Sequence, residues 1–144
     1  MMILGLAWAC SPSARPSTTS SASSRLVGSW QMDLTLDPAF EPRTQRLGGD
    51  VAAAKAAANA QPPMITTFRS DGHFTTDGSV LGHPVHDEYR WEVISEAGER
   101  VTVRTLSDKP PEEATYTFTS ADVVHMETKL PNGNSFEVWL RRVK

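Results

Sequence analysis

The chain has 144 residues, enough for one domain and a tail. A net charge of −3, with 22% charged and 39% hydrophobic residues, is an ordinary soluble balance and lacks the basic excess expected of a nucleic-acid binder. A single cysteine, Cys10, excludes an internal disulfide and a cysteine-based zinc site.

Residues 1–9 are apolar throughout, and Ala7 and Ala9 stand just ahead of Cys10. The texture then changes: 11 of the 15 residues 11–25 are Ser, Thr or Pro. Such a stretch buries too little apolar surface to offset its ordering entropy, so residues 10–25 are expected to be a flexible tether. "LAWAC" followed by a Ser-rich tract resembles the end of a bacterial lipoprotein signal. The resemblance implies cleavage after Ala9, leaving residues 1–9 as part of a signal peptide, and lipid on Cys10. It also implies an address at the membrane of the cell envelope. No Lys or Arg precedes the apolar run, so a natural start further upstream is expected. Several acyl chains on Cys10 would hold a soluble domain firmly, because single chains bind membranes only marginally.

Residues 26–144 read as one all-β domain. "RLVGSWQMDLTLD" alternates, with Trp30, Met32, Leu34 and Leu36 on one face, and predicts a half-buried strand. Asp37-Pro38 suits a short helical turn that Pro42 limits. A helix follows: Asp50 can cap it, seven of residues 52–60 are Ala, and Pro62-Pro63 end it. Its small side chains suggest that it lies over one opening of whatever the strands build.

From Met64 onward strand follows strand. "MITTFR" and "HFTTD" flank a turn at Ser70-Asp71-Gly72, "GSVLGHP" reads as a loop or short edge hairpin, and "VHDEYRWEVI" puts Tyr89, Trp91 and Val93 on one face. "RVTVRTL", "ATYTF", "VVHMETKL" and "SFEVWLRRV" follow, separated by turns that include Asn132-Gly133, a strong hairpin signal. About eight strands with short connections predict an antiparallel meander closed as a barrel, which removes exposed edges; a two-sheet sandwich is the rival.

"Gly28-Ser29-Trp30" resembles the G-x-W signature of lipocalins and related small barrels. In that family the Trp packs across one end of the barrel and an Arg from the last strand lies against it. Here the resemblance points to Arg141 or Arg142 in "WLRRV". The order "FRSDGHF…YRWEV…TYTF" is also similar to small bacterial lipocalin-like domains. The resemblance implies a binding domain for a small hydrophobic ligand. The inward set carries candidates for that pocket: Met32, Phe68, Phe74, Tyr89, Trp91, Tyr116, Phe118, Met126 and Phe136. The same rings suffice to fill a small barrel, and a filled barrel would instead serve as an interaction module, with outward Ile65 and Trp139 as its apolar patch.

His83-Pro84-Val85-His86-Asp87-Glu88 is the densest run of metal-ligand types, with His73 a possible third imidazole. His-x-x-His gathers ligands on a helix, and Pro84 opposes one, so a solvated hairpin tip is the expectation and no metal or cofactor is assigned. His125 alternates with Val124 and Met126 and is expected outside. No nucleophile elbow or phosphate-cradling glycine loop is present, and Cys10 lies in the tail. The expectation is therefore a non-catalytic protein, monomeric by default, whose partners are an apolar ligand and, through Cys10, the membrane.

Overall fold

The computed structural model describes residues 20–107 and 110–144. Cys10 and the segment before Ser20 lie outside the described residues, as do Asp108 and Lys109 of the expected break before Pro110. The elements run α1 (Ala22–Leu26), β1 (Gly28–Met32), a 3-10 turn (Leu34–Leu36), α2 (Phe40–Arg46), α3 (Val51–Ala60), β2 (Ile65–Phe68) and β3 (His73–Val80). They continue with β4 (His83–Ala97), β5 (Arg100–Leu106), β6 (Glu112–Ser120), β7 (Val123–Lys129) and β8 (Ser135–Arg142). The eight strands form a closed, wholly antiparallel barrel in sequence order. Closure comes from β1 against β8, where Trp30 faces Arg142 and Met32 faces Leu140.

Alternation along each strand decides what fills the barrel. Trp30, Phe68, Val101, Val103, Tyr116, Phe118, Val124, Val138 and Leu140 are buried, and Phe74, Trp91, Ala114 and Met126 pack against them. Phe68 is the hub. Its ring stacks on Phe74 at 5.4 Å and meets Trp91 and Tyr116 edge-on, each also at 5.4 Å. These are the offset and T-shaped arrangements that aromatic quadrupoles favour. Burial pushes the Tyr116 phenol above its ordinary range.

One end of the barrel is sealed. The Trp30 indole N–H donates to the Leu26 carbonyl at 2.8 Å, and the Arg142 guanidinium lies 4.3 Å over the indole. Arg142 also donates to the carbonyls of Arg25 (2.6 Å) and Val27 (3.3 Å). Gly28 lets this happen. Its φ is +133°, and a Cβ there would sit 2.7 Å from Arg142 Nη1. Arg141, the other arginine of the pair, turns outward to Asp33.

The sequence reading needs four corrections. Residues 22–25, expected in the tether, belong to α1, because Ala22 and Leu26 are buried against the barrel. Ser23 donates its N–H and hydroxyl to Glu96 (3.0 and 2.8 Å), and Arg25 pairs with Glu99 at 2.5 Å. The first strand ends at Met32 rather than continuing through Leu36. The Asp33 N–H goes to the Trp139 carbonyl, and the Asp33 carboxylate accepts from the Thr35 N–H, winding the chain into a 3-10 turn. Pro42 sits inside α2 instead of stopping it, since in the first turn its missing N–H has no helical partner to lose. Of the two readings of "GSVLGHP" the hairpin holds, but it is long rather than a short edge one: β3 and β4 pair continuously to Val80 and His83, joined by Leu81-Gly82 with φ of +51° and +80°. Two positive φ values give the turn that matches strand twist. The Ala-rich helix stands where expected, with the Asp50 carboxylate accepting from the Ala53 N–H, but α2 and the 3-10 turn share the insert with it.

The seal makes a double-mutant test possible. Arg142→Leu should cost about 2–3 kcal/mol in urea unfolding, because two carbonyls and the indole lose their partner. Gly28→Ala alone should cost about 1–3 kcal/mol, and less in the Arg142→Leu background, where only the backbone strain remains. Additive losses would show that the two residues do not touch.

Candidate functional site

The opposite end of the barrel is not sealed. Inward positions there remain open to solvent: Met32 is 36% and Phe136 45% exposed, against 0% for Trp30 at the sealed end. Apolar side chains outside the barrel gather at the same end. Leu34 follows β1 and is 53% exposed, and Val80 at the β3–β4 tip is 50% exposed.

The helical insert leaves and rejoins the barrel at this open end. Its departure is fixed by Asp33, whose carboxylate takes Arg141 at 3.0 Å and the Thr35 hydroxyl at 2.5 Å. Burial pushes the Asp33 carboxyl up, but the Thr35 hydroxyl, the Thr35 N–H and Arg141 outweigh it and hold the group below the ordinary carboxylate range. Its return is fixed by Met64, which packs over Gly78; a Cβ at Gly78 would come within 2.6 Å of the Met64 sulfur. Between departure and return lies a crevice of about 160 Å³. Met32, Leu34, Ala58, Pro62, Pro63 and Met64 form its apolar wall, with Gln31, Asp33, Asn59 and Gln61 around them. A space of this size accommodates one small ring or a short alkyl segment.

Of the nine residues singled out for a ligand pocket, the crevice contains one, Met32. Phe68, Tyr116 and Phe118 are buried in the ring cluster, and Phe74, Trp91 and Met126 pack on it. These six fill the barrel rather than line a space, because rings at 5.4 Å spacing leave no room between them. Tyr89 stacks on Phe74 at 5.3 Å and borders a shallow recess beside Arg90 and Leu106. Phe136 stands at the open end, outside the crevice. Leu34, Pro63 and Met64 escaped the sequence reading. The signal available for them was the Pro62-Pro63-Met64 run, whose prolines end α3 and set Met64 at the barrel rim.

The outward candidates fall apart as a set. His83 and His86 sit at odd and even positions of β4 and project to opposite faces. His86 pairs instead with Asp77 across the hairpin at 2.5 Å. The hydrogen bond to Asp77 raises the His86 pKa and lowers that of Asp77. His73 contacts Asp71 at 3.3 Å, and Asp71 also holds Arg69 and caps the His73 N–H. His125 lies outside, stacked on Trp139 at 4.7 Å. Among the described residues no group of three or more His, Cys, Asp or Glu is placed to hold a metal ion. Ile65 and Trp139 are half-buried and stand on β2 and β8, with β1 between them.

No protein-family model matches the chain, and a comparison with curated proteins finds no match. Among the described residues no helix is long and apolar enough to cross a membrane.

Asp33 gives the open end a pH dependence. A carboxyl with a depressed folded pKa stabilises the fold fully above its unfolded value, near 4, and loses that contribution as the pH falls through the folded value. Asp33→Asn should therefore lower stability by about 1 kcal/mol at pH 7. The gap between the two proteins should narrow progressively as urea titrations are moved below about pH 4 and the carboxylate protonates. A gap independent of pH would mean that the charge contributes nothing.

Proposed function

We propose that the domain is a non-catalytic binding module of the bacterial cell envelope that takes a small apolar ligand at the open end of its barrel. The observation that carries this reading is the crevice walled by Met32, Leu34, Pro63 and Met64. Apolar surface left in contact with water gains about 25 cal/mol for each Å² covered, and this crevice sets a concave apolar wall beside the polar Gln31, Asp33, Asn59 and Gln61. Two methionines at its wall suit an adaptable, low-specificity contact. The barrel interior is the poorer candidate, since its rings already satisfy one another.

Attachment through a lipidated Cys10 remains part of the proposal, supported by the small residues before Cys10 and the Ser-rich tract after it. It has a geometric corollary. Helix α1 is fastened at the sealed end by Glu96, Glu99 and Arg142. A chain entering through α1 meets the barrel at that end, so the tether and the open end lie at opposite ends of the barrel.

Methionine methyl NMR separates crevice from core. With benzene as the probe, the methyls of Met32 and Met64 should shift in a saturable way while Met126 stays still. Met32→Glu should abolish the Met64 response. Movement of Met126 first would put the ligand inside the barrel, and no movement of any of the three would remove the binding reading. For the anchor, full-length protein expressed with its natural start should partition into detergent, and Cys10→Ala should shift it to the aqueous phase. An unchanged partition would remove the anchor.

A further inference from the structure

The outer wall of the barrel carries a much larger recess, about 860 Å³, over β4 to β7. Its floor is a row of short side chains that follow one another across the sheet. Ser95 faces Thr102, Thr102 faces Thr115, and Thr115 faces Glu127. The Thr102 and Thr115 hydroxyls are 3.0 Å apart and bonded to each other. Long side chains rise on either side of this floor, and Pro110-Pro111 and Leu130-Pro131 close its upper end.

The charges around the recess are of both signs. On the neighbouring wall Arg104 holds Glu92 at 3.5 Å and Glu113 at 2.9 Å, while Arg25, Arg141 and Arg142 are also paired. Arg100, Lys129, Glu112 and Glu127 all line the recess, and among the described residues none of them has an ion-pair or hydrogen-bond partner. Among the described residues, two charges of each sign thus surround one concave space without pairing with each other.

That lining disfavours most ligand classes. A polyanion would meet Glu112, Glu113 and Glu127, and a simple cation would meet Arg100 and Lys129. An acyl chain would strip water from all of them at high cost. A sugar would find no aromatic face on which to stack, since the lining contains no ring of Phe, Tyr or Trp. A bipolar ligand satisfies both signs. Hydroxyls both donate and accept, so the Ser95–Thr102–Thr115 floor can serve the N–H and C=O groups of a peptide backbone. The strands below have no free edge, because β4 to β7 are each paired on both sides. A peptide cannot join them as a further strand and must be read through side chains.

We propose that this groove binds an extended peptide segment that carries both a basic and an acidic side chain. The acid of the peptide meets Arg100 or Lys129, its base meets Glu127 or Glu112, and its backbone lies over the threonine floor. The reading is independent of the apolar crevice, which lies at the open end on other residues.

Nitrogen-15 NMR of the full chain tests it with four blocked hexapeptides. One repeats Lys-Thr-Glu, one Lys-Thr, one Glu-Thr, and one is Ser-Thr only. The mixed-charge peptide should shift the amides of Thr102, Thr115 and Glu127 at concentrations up to about 1 mM, a weak affinity typical of short segments. The other three should bind at least about fivefold more weakly, as the loss of one favourable charge contact implies. Arg100→Gln combined with Glu127→Gln should weaken the mixed peptide by about tenfold, and exposed substitutions of this kind leave folding essentially intact. The methyls of Met32 and Met64 should stay still throughout. Equal binding of the neutral peptide, an unchanged affinity in the double variant, shifts confined to other surfaces, or no shifts at all would each overturn the proposal.

Discussion

The contact between Arg142 and Trp30 is the constraint on which the rest of the structure depends. It joins the first strand to the last, at the seam where the barrel closes. A guanidinium suits this place better than an ammonium would. Its flat face covers the indole while its rim donates in the plane, here to the carbonyls of Arg25 and Val27. The charge is not left without compensation, because Asp122 approaches Arg142 Nε at 3.5 Å. One side chain therefore fastens three things: the seam, the indole that plugs the end, and the short helix that precedes β1. Gly28 is the price of that economy, since only a residue without Cβ leaves room for the guanidinium at φ +133°.

Sealing one end dictates how the remaining space is used. Trp30 reaches Phe118 edge-on at 5.9 Å, and Phe68 continues the packing through Phe74, Trp91 and Tyr116. An eight-stranded barrel has just enough width for such side chains or for one small ligand. With this many rings pointing inward the choice falls on packing. Where the rings stop, the inward side chains of Met32 and Phe136 are left uncovered. The open end is thus a consequence of where the aromatic residues lie along the strands, and it is also where the helical insert departs and returns.

The barrel was legible because its signal is local. Period-two alternation marked nearly every strand, and turn residues such as Asn132-Gly133 marked the joints. What could not be read were features decided by a partner far along the chain. Leu34 and Leu36 keep the alternation of β1, yet the Asp33 N–H is taken by Trp139 and its carboxylate by Thr35, so the strand ends. Ser23 and Arg25 look like tether until Glu96 and Glu99 arrive from the β4–β5 hairpin. The Ser23 N–H, and then its hydroxyl, hold the Glu96 carboxyl below its ordinary range. Leu81-Gly82 is a poorer turn signal than Asn-Gly, because a leucine rarely adopts φ +51°, and so a continuous hairpin reads as a loop or a short edge hairpin. Most of the residues expected to line a ligand pocket point inward and pack on one another. Alternation tells which residues point inward, but whether they touch one another depends on the stagger of all eight strands.

The same stagger explains why recognition on this fold moves outward. Closure leaves no strand edge, so backbone groups of the wall are already paired and offer a partner nothing. What varies on the wall is side-chain length. A row of Ser and Thr among Arg, Lys and Glu makes a trough without any bend in the chain, and its charges are held apart by the strands that carry them. Strand spacing, about 4.8 Å, sets the distance between neighbours within a row. Arg104 bridges to its neighbours on both sides because its row alternates in sign, Glu92–Arg104–Glu113. Across the Ser95–Thr102–Thr115–Glu127 row no base stands beside Glu127, so that carboxylate has no cross-strand partner in its own register. Pairing on this surface is thus decided by register: two residues along β5 and β6 separate the self-satisfied Glu92–Arg104–Glu113 row from the row that ends on Glu127.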